Sequence, residues 1–252
     1  MAKYTEEEKT LRRIEKRFGK GVVEYGLIED GDKILIGLSG GKDSLALVEL
    51  LARRARIFRP KFSLVVVHVV MRNIPYQSDV EYLKEYAESW GLPFILYETE
   101  FDASTDSRKS PCFLCSWNRR KALFTVAKEQ GCNKIALGHH MDDILETLLM
   151  NITCQGAFSS MPPRLVMKKF DMTIIRPMCL VHEADLMELA QIRGYRKQLK
   201  NCPYESQSLR SGMKDILRRL EAMNPEARYS LWGSMSNVQK ELLPQIIKNK
   251  NQ

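Results

Sequence analysis

The chain has 252 residues, 44% hydrophobic and 28% charged, enough to bury a core as one α/β domain of ordinary size or two small ones, which excludes fibrous, collagen-like and disulfide-dependent mini-protein architectures. Its 39 Lys+Arg against 31 Asp+Glu leave a formal charge of +8, an excess that favours a polyanionic partner such as nucleic acid and says nothing about fold. Without a run of 18 apolar residues or an apolar stretch in the charged segment Met1 to Arg17, neither a membrane span nor a secretory signal is expected, and the chain reads as cytoplasmic. Six cysteines in a reducing compartment point to metal or redox chemistry rather than to disulfides.

Thr5 and Glu8 fit a capping box, and Leu11, Ile14 and Phe18 recur at helical spacing behind it, with Arg12, Arg13, Lys16 and Arg17 on the wet side. After the turn signal Asp30-Gly31, Lys33 to Leu38 reads as a strand that runs into Ser39-Gly40-Gly41-Lys42-Asp43-Ser44, and Leu47, Leu50 and Leu51 open a helix. The alternation repeats. Ser63 to Val69 is a Val-rich strand, Val80, Leu83, Ala87 and Trp90 form a helix stripe, and Phe94 to Tyr97 and Lys134 to Leu137 are short strands around a helix from Pro111 to Glu129. Leu145, Leu148, Leu149 and Ile152 give another helix, and Thr173 to Ile175 an edge or fifth strand. Beyond Pro177 the pattern is helical: Leu186 to Ile192, then Met213, Ile216, Leu217 and Leu220, then a last helix after Pro225.

Continuous apolar strands alternating with amphipathic helices predict an α/β fold, a doubly wound parallel sheet with ligands at the carboxyl ends of its strands. The expected organisation is a helical N-terminal segment (1–30), an α/β nucleotide-binding domain (31–180) and a helical C-terminal region (181–252).

The two adjacent glycines and two hydroxyls of Ser39 to Ser44 stand at a strand-to-helix turn, where bare N–H groups and the helix N-terminus can surround a phosphate chain. The spacing matches neither Walker A nor the Gly-x-Gly-x-x-Gly of dinucleotide binders. After the fourth strand, Gly138-His139-His140-Met141-Asp142-Asp143 should stand on the same sheet edge. Asp142 and Asp143 read either as helix caps or as functional groups, Asp143 orienting Lys42 or Mg²⁺ and His139 or Asp142 standing near the nucleophile. His182 reads as a cap or surface residue.

Cys112 and Cys115, behind Pro111, fall at i and i+3 on one face of a helix start, where the helix N-terminus and Arg119-Arg120-Lys121 favour thiolates. Cys202-Pro203 resembles an iron–sulfur ligand segment, and three thiolates would leave one iron of a cubane unsaturated. Zinc closed by Cys112, Cys115, Cys202 and Glu205 is the other reading, although structural zinc mostly takes four Cys/His ligands. Cys132, Cys154 and Cys179 lack partners in sequence and read as small hydrophobes. Basic clusters at Arg53-Arg54-Ala55-Arg56, Arg119 to Lys121, Lys168-Lys169 and Arg193 to Lys200 are each a solvated face by themselves, but together they suit a folded RNA. Tyr195 and Tyr204 could stack on a base, with packing the commoner role.

Ser-Gly-Gly-x-Asp-Ser resembles the pyrophosphatase loop (PP-loop) of enzymes that cleave ATP between the α and β phosphates and adenylate a carbonyl oxygen. That resemblance implies that Gly40, Gly41 and Ser44 hold the pyrophosphate, Ser39 bonds a phosphate oxygen, Lys42 neutralises developing charge and Asp43 holds Mg²⁺. It also implies main-chain adenine contacts at His68 and Val69 and a close nucleotide approach at Gly138. Together with Cys112, Cys115 and Cys202, the chain resembles the tRNA 2-thiocytidine synthetases. The likeness runs through Leu27-Ile28, Ser39 to Ser44, Pro111 to Arg120, Ile135 to Thr147, Met161-Pro162-Pro163, Ile175-Arg176-Pro177 and Ser236-Asn237-Val238. Where many members have a second Cys-x-x-Cys, this chain has Cys202-Pro203-Tyr204-Glu205, which fits a three-cysteine [4Fe-4S] cluster. The resemblance implies ATP, Mg²⁺ and the cluster as cofactors, the cytidine at position 32 of tRNA as target, a cysteine desulfurase or another sulfur donor, and a homodimer. Lysidine synthetase, 2-thiouridine formation and a non-catalytic nucleotide-binding iron–sulfur sensor are the alternatives.

Overall fold

The computed structural model describes residues 4–73, 78–100, 111–196, 198 and 209–244, with the side chains of 111 and 112 outside that description. Helix α1 (Glu6–Glu24) starts at the expected capping box: the Thr5 side chain accepts from the Glu8 N–H at 3.2 Å, and Glu8 Oε2 accepts from the Thr5 N–H at 2.8 Å. Its apolar stripe, Ile14, Phe18 and Val22, is buried.

There follow β1 (Lys33–Gly37), α2 (Lys42–Ala55), β2 (Ser63–Met71), α3 (Val80–Ser89), β3 (Phe94–Thr99), α4 (Pro111–Glu129), β4 (Lys134–Ala136), α5 (Met141–Gln155), β5 (Arg164–Met167), β6 (Met172–Ile175), α6 (Glu183–Arg193), α7 (Leu209–Met223) and α8 (Ala227–Ser234). The strands form one sheet in the order β3-β2-β1-β4-β6-β5. All neighbours are parallel except β5, which runs antiparallel to β6.

The strand order reverses between β1 and β4, so the crevice at their carboxyl ends is the natural ligand position of this doubly wound sheet. Alternate residues of β1 explain the two cores: Ile34 and Ile36 face one side with α1, α2, α3 and α6, whereas Leu35 faces the other with Ala122, Val126 and Ala127 of α4. With both faces covered, the central strands must be continuous apolar runs, which is how they read in sequence.

β6 was expected at an edge or as a fifth strand; it lies inside, next to the edge strand β5, which sequence reading missed. β5 has only four residues with alternating exposure, and it returns to β6 through a short helical turn (Lys168–Phe170) and the left-handed residue Asp171 (φ 47°).

By contacts the chain divides into two compact units, Met1–Ile144 with Pro162–Ser208, and Leu145–Met161 with Leu209–Gln252. Within the first, α1 and α6 pack on the same core as β1 and α2. In the second, Arg228 of α8 holds Glu221 of α7 at 2.7 Å. No described helix is long and apolar enough to cross a membrane.

Candidate nucleotide site at the carboxyl edge of the sheet

The chain leaves β1 still paired to β2, the Leu38 N–H donating to Val67 O at 2.8 Å, and then turns sharply. Gly40 takes φ +82°, a left-handed conformation that favours glycine. Gly41 is the N-cap of α2 and no side chain caps the helix, so the first-turn N–H groups are oriented as anion donors. Ser44 Oγ donates to Gly41 O at 2.9 Å and Ser39 Oγ donates to Ser44 Oγ at 3.2 Å, which places both hydroxyls inside the loop.

Lys42 Nζ lies 3.0 Å from Asp43 Oδ1 and 3.3 Å from Glu183 Oε1 at the start of α6. Burial works against the ammonium charge, but the two carboxylates outweigh it and hold the Lys42 pKa above its ordinary value. Asp43 Oδ1 is buried and accepts no hydrogen bond despite that proximity.

Behind the loop stands His140, buried between three carboxylates: its ring lies 3.4 Å from Asp143, 3.6 Å from Asp142 and 3.9 Å from Asp43. Burial again opposes the charge, and the carboxylates, Asp142 first, raise the imidazole pKa in spite of it. Asp142 Oδ2 also accepts from the Glu183 N–H at 2.8 Å, tying the start of α5 to the start of α6.

A cavity of about 290 Å³ opens at the switch point. It gathers Ser39, Gly41, Asp43, Ser44, His68, Val69, Gly138, His139 and Asp143, all singled out in sequence. Gly40 and Lys42 instead line a second cavity of about 680 Å³ with Tyr195, Arg196 and Gln198, and Gly41 and Asp43 border both. Asp142, expected near the nucleophile or as a cap, lines neither among the described residues; it braces His140 and α6.

His68 has a structural task besides lining the cavity. Its Nδ1–H donates to Leu38 O at 2.7 Å, which leaves Nε2 to accept from Ser78 Oγ at 2.8 Å. Burial lowers its pKa, so the ring is held neutral.

Sequence reading passed over Glu183, named His140 only within the Gly138-to-Asp143 segment and without a role, and named Arg119 only as part of a basic cluster. Arg119 and Leu123 of α4 line the smaller cavity, and Cys115 stands four residues before Arg119 on that helix, hence on the same face. Cys115 is half-buried. Cys112 is three residues earlier on α4, its side chain outside the described residues, as are the whole of Cys202, Tyr204 and Glu205. His182 takes the N-cap position of α6, and Tyr195 packs against the core, its hydroxyl donating to Glu49 at 3.2 Å.

The PP-loop domain family matches residues 7–201. The chain is 35% identical over 240 residues to a tRNA-cytidine(32) 2-sulfurtransferase of Geobacter metallireducens, covering 92% of each chain. It is 36% identical over 250 residues to the enzyme of the same name from Syntrophotalea carbinolica, covering 96% of each. The chain belongs to the tRNA-cytidine(32) 2-sulfurtransferase family of PP-loop proteins. A further family member, from Neisseria meningitidis, shares 36% identity over 238 residues, 92% of this chain and 74% of that one. Among solved structures, the U34-tRNA thiolase NcsA from Methanococcus maripaludis with its [4Fe-4S] cluster superposes with a TM-score of 0.74 at 24% identity, covering 91% of this chain and 78% of that one, and thereby shares the family's fold.

Proposed function

We propose that this protein is an ATP-dependent tRNA sulfurtransferase that adenylates the 2-oxo group of cytidine 32 and replaces that oxygen with sulfur. The observation that carries the reading is the cavity at the switch point, where Ser39, Gly41, Asp43 and Ser44 of the glycine loop meet Gly138, His139 and Asp143 in a chain whose relatives bear that name. In the first half-reaction the base oxygen attacks the α-phosphorus of ATP and pyrophosphate leaves. In the second, sulfur attacks C2, the C–O bond breaks and AMP departs with the oxygen, a far better leaving group than the unactivated oxygen.

The chain's own groups fit these demands. Val67, His68 and Val69 with Leu123 line the cavity and give the adenine a largely apolar wall, and the α2 N-terminus receives the phosphates. Lys42, kept charged by Asp43 and Glu183, offsets the negative charge that builds on the departing pyrophosphate. His140 holds the carboxylates of Asp43, Asp142 and Asp143 around itself, fixing their orientation.

The buried Asp43 Oδ1, which accepts no hydrogen bond and faces Lys42 only as an ion pair, is a hard oxygen donor that suits Mg²⁺, which would supply Lewis-acid stabilisation of the phosphate oxygens. Cys115, a half-buried thiol on the helix face of the cavity-lining Arg119, fits a ligand role with Cys112 and Cys202 for a [4Fe-4S] cluster, which would supply an iron open to the transferred sulfur. A cysteine desulfurase or another donor would provide that sulfur, to a homodimer in the cytoplasm.

The deciding experiment is mass spectrometry of tRNA nucleosides from cells lacking this chain. Loss of 2-thiocytidine, restored by the wild type and not by Cys112→Ala, is expected. Unchanged thiolated nucleosides in the deletion would overturn the reading.

A further inference from the structure

Arg176 directly follows β6, and the preceding Ile175 O accepts the Leu137 N–H at 3.0 Å, so Arg176 emerges on the same sheet edge as Gly138, one strand away. Its side chain is withdrawn from water, with only 7% of the residue exposed. Two carbonyls of a proline pair hold it: Nη1 donates to Pro162 O at 2.6 Å, and the backbone N–H donates to Pro163 O at 2.8 Å. Those bonds orient the guanidinium without neutralising it. The Nε–H is buried with no acceptor, and the charges that act on the guanidinium are those of Arg120 and Cys179, with no carboxylate among them.

The electrostatics sharpen the problem. Burial, then the nearby positive charge of Arg120 on α4, push the Arg176 pKa down to about 10. A buried cation with an unmet donor and a like-charged neighbour is costly unless an anion completes the site. Arginine's planar fork is suited to a tetrahedral oxyanion, which can take two N–H bonds at once. Arg176 lines neither cavity beside the glycine loop, so the phosphates of a nucleotide seated there are the less suitable source.

We infer that Arg176, with the exposed Arg120 beside it, forms a phosphate-binding site at the carboxyl end of β6 that takes a backbone phosphate of the substrate RNA. The choice of RNA rests on the tRNA reading above; the phosphate chemistry rests on Arg176 itself.

The test uses the full chain with an unmodified tRNA transcript, measuring affinity between about 50 and 200 mM salt, and ATP affinity in parallel. Arg176→Gln and Arg120→Gln should each weaken tRNA binding about tenfold and lower the slope of log affinity against log salt by about one, with ATP affinity unchanged. Arg176→Lys should restore the slope while leaving affinity below wild type, an outcome that mere support of the proline pair would not give. Should Arg176→Gln fail to fold, Arg120→Gln, at an exposed position, still decides. Unaltered affinity and slope in the variants would overturn the inference, and a loss confined to ATP would overturn RNA as the source and assign the site to a nucleotide phosphate. A wild type that binds no tRNA would defeat the tRNA reading instead.

Discussion

Gly138 and Asp43 meet backbone to backbone: a Cβ on Gly138 would stand 3.2 Å from the Asp43 carbonyl carbon, and 3.3 Å from its oxygen and from the Ser44 nitrogen. The exit of β4 thus braces the first turn of α2, the part of the glycine loop that receives phosphate. Because the neighbour is helix backbone, it can make room for a methyl only by moving the loop. Gly138→Ala should cost about 1 kcal/mol of stability and weaken ATP binding roughly tenfold. Thermal unfolding with ATP titration checks both; unchanged ATP affinity would show the brace to be dispensable.

Glu49 is fully buried in the middle of α2 and accepts hydrogen bonds from Arg53 at 3.0 Å, from Arg193 at 2.9 Å and from the Tyr195 hydroxyl at 3.2 Å. The carboxylate therefore fastens α6 to α2, and Arg193 carries the link on to Glu7 of α1. Glu49→Ala would leave two guanidinium groups without their buried counter-ion, at a cost of about 3 kcal/mol. Glu49→Gln, which keeps the volume and one acceptor, should cost less. Urea unfolding of the three proteins measures the difference.

His68 makes stability fall with acid. Burial first, helped by Arg119 and opposed by the Leu38 carbonyl bond, lowers its pKa from 6.5. As pH drops, the unfolded imidazole takes up its proton near the ordinary value while the folded one resists, so the unfolded state binds more protons and gains ground. The penalty is absent above the unfolded pKa and complete once pH passes below the folded one. Urea midpoints of wild type and His68→Asn between pH 7.5 and 5 should show a shallower decline in the variant, by the histidine's share.

The cysteines outside the proposed ligand set should differ sharply in reactivity. Cys154 is exposed, whereas burial pushes the Cys179 thiol up to about 12 and also raises that of Cys132. At pH 8 the Cys179 thiolate fraction is then on the order of one in ten thousand. Iodoacetamide followed by peptide mass mapping should label Cys154 in the native protein and Cys179 only after denaturation.

Much of this was legible beforehand, for local reasons. The Thr5–Glu8 capping box and the apolar runs of β1, β2 and β4 report directly on backbone capping and on burial of both sheet faces. The glycine loop was readable because a strand, two glycines and a helix start are adjacent in the chain. β5 was not, since a four-residue edge strand with one wet side carries too little apolar signal to stand apart from a loop.

The sequence by itself determined the strand–loop–helix that receives phosphate, the alternation that makes the sheet parallel and the family to which the chain belongs, because periodicity and motif spacing act over a few residues. Only the tertiary structure decided that Glu183 would meet Lys42 across 141 positions, that His140 would sit among three carboxylates and that Arg176 would be buried without an acid. Those relations depend on the strand order β1-β4-β6 and on α6 packing against α2. The charge pattern of a chain does not encode them, because which side chains lose water together is settled when distant elements close one core.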